Sequence, residues 1–178
     1  MGWKLPVLTT ERLLLRAVTL ADAEAMFKYC SNDNVSRYVL WDTHQTLEDT
    51  KSFIEMAMDA YEMREFYHWG IEYNSQLIGT IDFVGINEYG GMGEVGYVLA
   101  EEYWNKGFVT EATKKIIDYG FDELGFVRIQ ARCIAENTAS ARVMEKTGMK
   151  FEGTLRKSML VKGTHRDINM YAIIDEDR

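Results

Sequence analysis

Gly107 stands where a strand-like run gives way to a helix-like one, and that placement has a chemical use. The first amides of a helix have no partner inside it and lie at the positive end of its dipole. A glycine there carries no Cβ, so an anion can approach the backbone closely. Trp104-Asn105-Lys106-Gly107-Phe108 is therefore a candidate cradle for a phosphate or pyrophosphate. On spacing alone, an ordinary connection with Gly107 in a strained turn fits equally well. Asn137, just after a second strand-like run, is a helix N-cap by residue type.

The elements that must hold these residues follow from periodicity. Residues 94–100 read as a strand, with Val95, Tyr97 and Val98 as β-formers. Val109, Ala112, Ile116, Ile117, Gly120, Phe121 and Leu124 repeat at helical spacing, and Gly125 offers a stop. Upstream, residues 11–18 read as a first strand. Thr19 with Asp22, and Thr46 with Asp49, look like capping boxes opening two helices. Residues 66–72 and 77–86 read as strands joined by a turn at Asn74-Ser75-Gln76, and residues 88–93 form a second turn. Three strands on short turns imply an antiparallel meander. A helix then carries the chain to a strand at 127–134, which is expected to run parallel to 94–100. A helix capped by Asn137 and stopped by Gly148 follows, then a hairpin of 154–161 and 166–174, with the last residues solvated. The fold class is α/β with a mixed, largely antiparallel sheet flanked by helices.

The residues of the turn carry more than their geometry. W-N-K-G-F-V-T-E-A resembles the acyl-coenzyme A pyrophosphate loop of the GNAT N-acetyltransferases, closest to the branch holding the ribosomal-protein N-terminal acetyltransferases RimJ and RimL. The general loop, Q/R-x-x-G-x-G/A, places Trp104, Gly107 and Val109 in register, so only the central glycine matches strictly. E-N-T-A-S-A-R-V-M-E-K-T-G-M, from Glu136, is more characteristic of the branch, and H-R-D-x-x-x-Y-A-I in the tail resembles it too. The order of elements extends the likeness over almost the whole chain, and a single domain spanning 1–178 is expected.

The resemblance implies acetyl-CoA as cosubstrate and no metal. The backbone of Asn105, Lys106, Gly107, Phe108, Val109 and Thr110 would bind its pyrophosphate. Tyr97, Val98 and Leu99 would pair with the pantetheine and the acetyl carbonyl, in a gap opening after Leu99 with Gly96 allowing a bulge. Asn137 would touch the pantetheine arm. Many relatives place a tyrosine on the second helix where this chain has Met144. The ribosomal-protein branch uses a serine one turn in, which makes Ser140 the candidate hydroxyl at the sulfur. A polar residue in a first helical turn explains Ser140 equally well.

The acceptor is an amine, and it must be neutral to attack. At pH 7 an α-amine, of pKa about 7.7–8.0, is roughly a tenth free base, whereas a lysine amine, of about 10.4, is almost entirely protonated. An N-terminal acceptor thus needs little help, whereas a lysine or polyamine needs a base. Glu94 is the named carboxylate for that role or a strand-edge surface residue, with Glu72, Asp82 and Asp42 open. The segment Val35 to Gln45 is rich in Tyr38, Trp41, Asp42 and His44, which line an acceptor pocket by resemblance. Trp41 also suits packing of helix on sheet. His165 and Asp167 border the same site or pair across strands.

The preferred acceptor is a protein or peptide N-terminus. A small-molecule amine and a noncatalytic acyl-CoA-binding regulator are the alternatives. The net charge of −8 disfavours direct nucleic-acid binding, and it suits a cationic partner or, more simply, serves solubility alone. Cys30 and Cys133 fall in apolar patterns without metal-ligand spacing. Pro6 removes a myristoylation motif at Gly2, and no run approaches a membrane span. A cytoplasmic protein without a membrane partner is expected, and a homodimer stays open.

Overall fold

A computed structural model describes residues 4–62 and 67–178. The chain runs β1 (Leu8–Thr9), β2 (Leu14–Arg16), α1 (Ala23–Cys30), α2 (Asp33–Ser36), α3 (Leu47–Glu62), β3 (His68–Tyr73), β4 (Gln76–Asn87) and β5 (Met92–Leu99). It continues as α4 (Phe108–Asp122), β6 (Arg128–Ile134), α5 (Thr138–Lys146), β7 (Lys150–Val161) and β8 (Thr164–Ile174). The strands form one sheet in the order β1-β2-β3-β4-β5-β6-β8-β7. The pair β5–β6 is parallel and the other neighbours are antiparallel. This is the expected mixed sheet with helices on its faces.

Local chemistry sets the element ends. The Thr19 amide donates to Asp22 Oδ2 at 2.8 Å, and the Gln45 and Thr46 amides both donate to Asp49 Oδ2 at 2.9 Å, so each carboxylate satisfies orphan donors where a helix begins. Asn74 and Ser75, with φ of 50° and 61°, make the two-residue turn between β3 and β4. The central strands β3 and β4 are buried on both faces over residues 68–71 and 77–81, so the sheet feeds two cores. Trp69, Ile71, Ile81, Phe83 and Val95 pack with Ala112, Ile116 and Phe121 of α4 on one face. Val18 and Leu77 pack with Met26, Tyr29, Ile54 and Ala57 of α1 and α3 on the other.

Two expectations change. The strand expected at 11–18 is only β2, because Thr10 closes a turn on Leu13 (Thr10 N to Leu13 O, 3.0 Å) and turns Arg12 outward toward α4. The link read from Val35 begins inside α2, whose N-cap Asn32 accepts from the Asn34 amide at 2.9 Å. The last residues are largely exposed, as expected, with Arg178 paired to Asp122 at 2.5 Å and to Asp118 at 3.2 Å. Phe66, read as the first residue of β3, and Gly2 lie outside the described residues. Cys30 and Cys133 are buried packing residues, and burial pushes their thiols up to about 12 and about 11.

The α4 face should dominate stability. Ile116 is fully buried, so Ile116→Ala is expected to cost about 2–5 kcal/mol in urea unfolding, with acetyl-CoA binding retained below the transition.

Candidate active site

The turn before α4 has the backbone of an anion cradle. Asn105 and Gly107 take left-handed conformations, with φ of 59° and 81°, the second at the N-cap itself. Only glycine enters that region without strain. Among the described residues, no protein acceptor takes the amides of Asn105, Lys106 or Gly107, and the first loop-to-helix bond runs from Glu111 N to Gly107 O at 3.0 Å. The amides of Phe108, Val109 and Thr110 are first-turn donors that a helix leaves unpaired. They face outward at the positive end of a helix of 15 residues.

A residue that spacing did not single out holds this loop. Arg12 donates through its backbone amide and Nε to the Glu111 carboxylate (2.9 and 2.7 Å) and through a terminal nitrogen to Lys106 O (3.1 Å). Its guanidinium lies 4.4 Å from the centre of the Phe108 ring. Burial works against the Glu111 charge, but the hydrogen bonds from Thr10 and Arg12 outweigh it and hold the carboxyl below the usual range. Phe108 is buried, its ring tilted by 47° at 4.6 Å from that of Tyr73. Only the pairing of an N-terminal segment with α4, about a hundred residues on, brings Arg12 here, so no local pattern announces it.

The gap in the sheet lies at the other end of this turn. The β5–β6 ladder runs from Met92↔Arg128 to Val95↔Ala131 and stops. From Gly96 to Leu99 the strand pairs with β4 alone, while β6 continues against β8 to Ile134. The splay thus begins after Val95, not after Leu99. Tyr97 fills the wedge: its hydroxyl lies 2.8 Å from Ser140 Oγ and donates to Ser140 O at 3.2 Å, tying β5 to α5 instead of to β6. Burial pushes the Tyr97 phenol well up, so it stays a neutral hydroxyl. The expected bulge is present but on the neighbouring strand, between Phe83 and Gly85 of β4. Gly96 is still required there. A Cβ on it would stand 2.7 Å from Val84 Cγ1 and 2.9 Å from Asp82 Oδ1.

Tyr97 and Ser140 therefore meet beside the stretch of β5 that β6 does not pair, which runs on through Val98 and Leu99. Asn137 Oδ1 accepts from the Ser140 amide at 3.2 Å, the expected N-cap. Trp104 Nε1 donates to Leu99 O at 2.8 Å and closes the far end of the opening. Met144 is buried in the core beneath α5. Glu94 has both oxygens engaged, by Gln130 Nε2 at 2.9 Å and Arg132 Nε at 2.7 Å.

The loop residues divide. Tyr38 packs near Ile134, Val161 and Ile168 by the closing hairpin, and Trp41 packs near the α1–α3 core. Asp42 is exposed. His44 bonds Thr50 Oγ1 at 2.7 Å, and burial holds its imidazole below the usual value. Asp167 accepts from the Lys157 amide at 2.7 Å, beside a cavity of about 290 Å³ that His165 also lines.

A strand that leaves its parallel neighbour, followed at once by an amide cradle on a helix, is the arrangement that the sequence likeness predicts. The family model described as an acetyltransferase (GNAT) domain matches residues 12–150. The chain belongs to the GNAT acetyltransferases. It is similar to the uncharacterized N-acetyltransferase YoaA of Bacillus subtilis, 39% identical over 95% of this chain and 97% of that one. A solved GNAT-family acetyltransferase from Bacillus anthracis has a TM-score of 0.87 at 34% identity, over 96% of this chain and 99% of that one. The Microcin C7 self immunity acetyltransferase MccE, solved with acetyl-CoA and AMP, has a TM-score of 0.85 at 25% identity, over 93% of each chain. As a GNAT enzyme this protein is an N-acetyltransferase, and its cosubstrate is acetyl-CoA.

Loss of the left-handed backbone at the cradle should act on cosubstrate first. In Gly107→Val a β-branched side chain meets φ of 81°, and acetyl-CoA affinity by calorimetry is expected to fall at least about tenfold, or 1.4 kcal/mol. Arg12→Ala is expected to weaken the same binding to a smaller extent.

Proposed function

We propose that the acceptor is the α-amine of a protein or peptide, as in the ribosomal-protein branch that the Glu136 to Met149 motif resembles. The observation that carries this reading is the chemistry at α5. Its middle presents a buried methionine, Met144, and its first turn presents Ser140 backed by the Tyr97 hydroxyl. Such a site supplies hydroxyl groups rather than a strong acid, which suits an amine that arrives partly neutral.

In this reading the amides from Asn105 to Thr110 hold the diphosphate of acetyl-CoA, and the pantetheine lies along Tyr97, Val98 and Leu99 with Asn137 beside it. The thioester reaches the opening, where an unpaired strand amide receives the charge that collects on the carbonyl oxygen. The amine enters past the segment holding Tyr38, Trp41 and Asp42. Its nitrogen bonds to the carbonyl carbon, the carbon–sulfur bond breaks, and Ser140 hydrogen-bonds the departing thiolate. Residues 1–178 act as one transferase domain, in the cytoplasm. A small-molecule amine is the competing acceptor, and the similarity to a self-immunity acetyltransferase favours testing it alongside.

Incubation with labelled acetyl-CoA and a panel of peptides, lysine and spermidine is expected to label peptide N-termini fastest. Preferential labelling of spermidine would replace the peptide reading with the small-molecule one. Ser140→Ala is expected to lower kcat by about 10–100-fold, the worth of a hydrogen bond to a charged group, while the acetyl-CoA dissociation constant stays within a few-fold.

A further inference from the structure

A buried histidine and a carboxylate stand on the sheet face opposite α4, at the point where the gap opens. Asp82 of β4 lies directly across from Gly96, the first residue of β5 that β6 does not pair. One of its oxygens, Oδ2, is 2.8 Å from His68 Nδ1. The other, Oδ1, lies over Gly96, 2.9 Å from where a Cβ would stand. His68 is 2% exposed, with the Phe53 ring edge-on at 5.6 Å. Its carbonyl accepts from the Tyr61 hydroxyl at 2.6 Å. The imidazole is thus fixed from behind, while the Asp82 side chain keeps 16% of its surface open.

The other carboxylates near the opening are committed elsewhere or stand apart. Glu94 is held by Arg132 and Gln130. Glu72 meets Arg16 at 2.5 Å, two residues beyond the Gly70 that β2 pairs. Asp42 is on the exposed loop. Neither Asp82 nor Asp42 meets a Lys or Arg among the described residues, and of the four only Asp82 faces the unpaired stretch of β5 across the sheet.

We propose that Asp82, oriented by His68, receives the acceptor's ammonium group and takes its proton before attack. This rests on the acetyl transfer set out above. The bookkeeping of the step is simple. An ammonium passes one proton to the Asp82 carboxylate, which returns it to water after turnover. The neutral nitrogen forms its bond to the carbonyl carbon, and the carbon–sulfur bond breaks. The second proton leaves the nitrogen as the amide forms and ends on the coenzyme A sulfur at Ser140. His68 touches no reactant. It is a positioning residue that keeps one carboxylate oxygen and frees the other. Gly96 has a matching role, since any side chain there would push Oδ1 away from the opening.

Among the described residues, the titratable groups facing Asp82 are His68 from β3 and Tyr61 from α3. Burial first, and the Asp82 charge among lesser causes, push the Tyr61 phenol up to about 12. Neither group carries a second carboxylate into the site. Across on β5, Asp82 faces Gly96, with Val84 beside it on β4. Among the described residues, a cationic acceptor therefore meets the Asp82 carboxylate at the mouth of the gap, in a chain whose net charge is −8.

The test compares wild type, Asp82→Asn and Asp82→Ala across pH, with a short peptide bearing a free α-amine and with spermidine as acceptors. Acetyl-CoA affinity and thermal melting of each variant report whether it has kept its fold. Asp82→Asn is expected to lose about 100-fold in kcat/KM at pH 7 with acetyl-CoA affinity unchanged. For the peptide the deficit should shrink above about pH 8, where the free amine arrives already neutral. For spermidine it should persist to higher pH. Added formate should restore part of the activity of Asp82→Ala, the second readout if the asparagine variant does not fold. A deficit equal at every pH, or no deficit, overturns the role of Asp82 and leaves acetyl transfer standing. If wild type binds acetyl-CoA yet acetylates neither acceptor nor any amine of a cell extract, the transfer reading falls and this proposal falls with it.

Discussion

Everything in this molecule turns on four residues of backbone that lack a neighbour. From Gly96 to Leu99, β5 keeps its hydrogen bonds to β4 and has no ladder to β6. Polar backbone without partners is costly to bury, so such a stretch persists only if something else holds the strands apart and something polar comes to meet it. Tyr97 does the first by bonding to Ser140 at the start of α5. The Val84 bulge on β4 and the bare Gly96 keep the strand's other side compact. In the proposed reading, what meets the exposed edge is the cosubstrate, whose amide-bearing arm would stand in for the missing strand.

The cradle and the gap are two ends of one rigid path. Leu99 ends β5, Trp104 reaches back to its carbonyl, and four residues later α4 begins. Arg12 fastens that turn to α4 from outside. The bulk of α4, with Ala112 and Ile116 fully buried against the sheet, keeps the helix N-terminus from drifting relative to β5. A single side chain from the N-terminal segment and one apolar helix face thereby set where the turn at residues 104–107 stands with respect to the unpaired end of β5.

Much of this was legible from residue types. Helix starts at Thr19 and Thr46 were readable because a carboxylate three residues on satisfies local donors, and the one at Asn137 because its own side chain does so. The left-handed turn before α4 was readable from Gly107 at a strand-to-helix junction, although spacing alone left an ordinary connection equally open and only the W-N-K-G-F resemblance pointed to a cradle. The meander and the parallel crossover followed from turn lengths. What could not be read are pairings between distant segments. Arg12 meets Glu111 across almost a hundred residues, and the bulge at Val84 reveals itself only through the register against β5. Gly96 marked the right place for the wrong reason, since a glycine tells of crowding without saying which strand supplies it. Glu94 and Asp82 looked alike as acidic residues in strands, and only the contacts distinguish one engaged by Arg132 from one held by a histidine.

The most direct measurement is an amide NMR titration of the labelled protein with coenzyme A. The account predicts large shifts at Asn105, Lys106, Gly107, Phe108 and Thr110, together with Gly96 to Leu99, and little change along β7 and β8. Saturable binding that leaves the amides of residues 105–110 unmoved would contradict it.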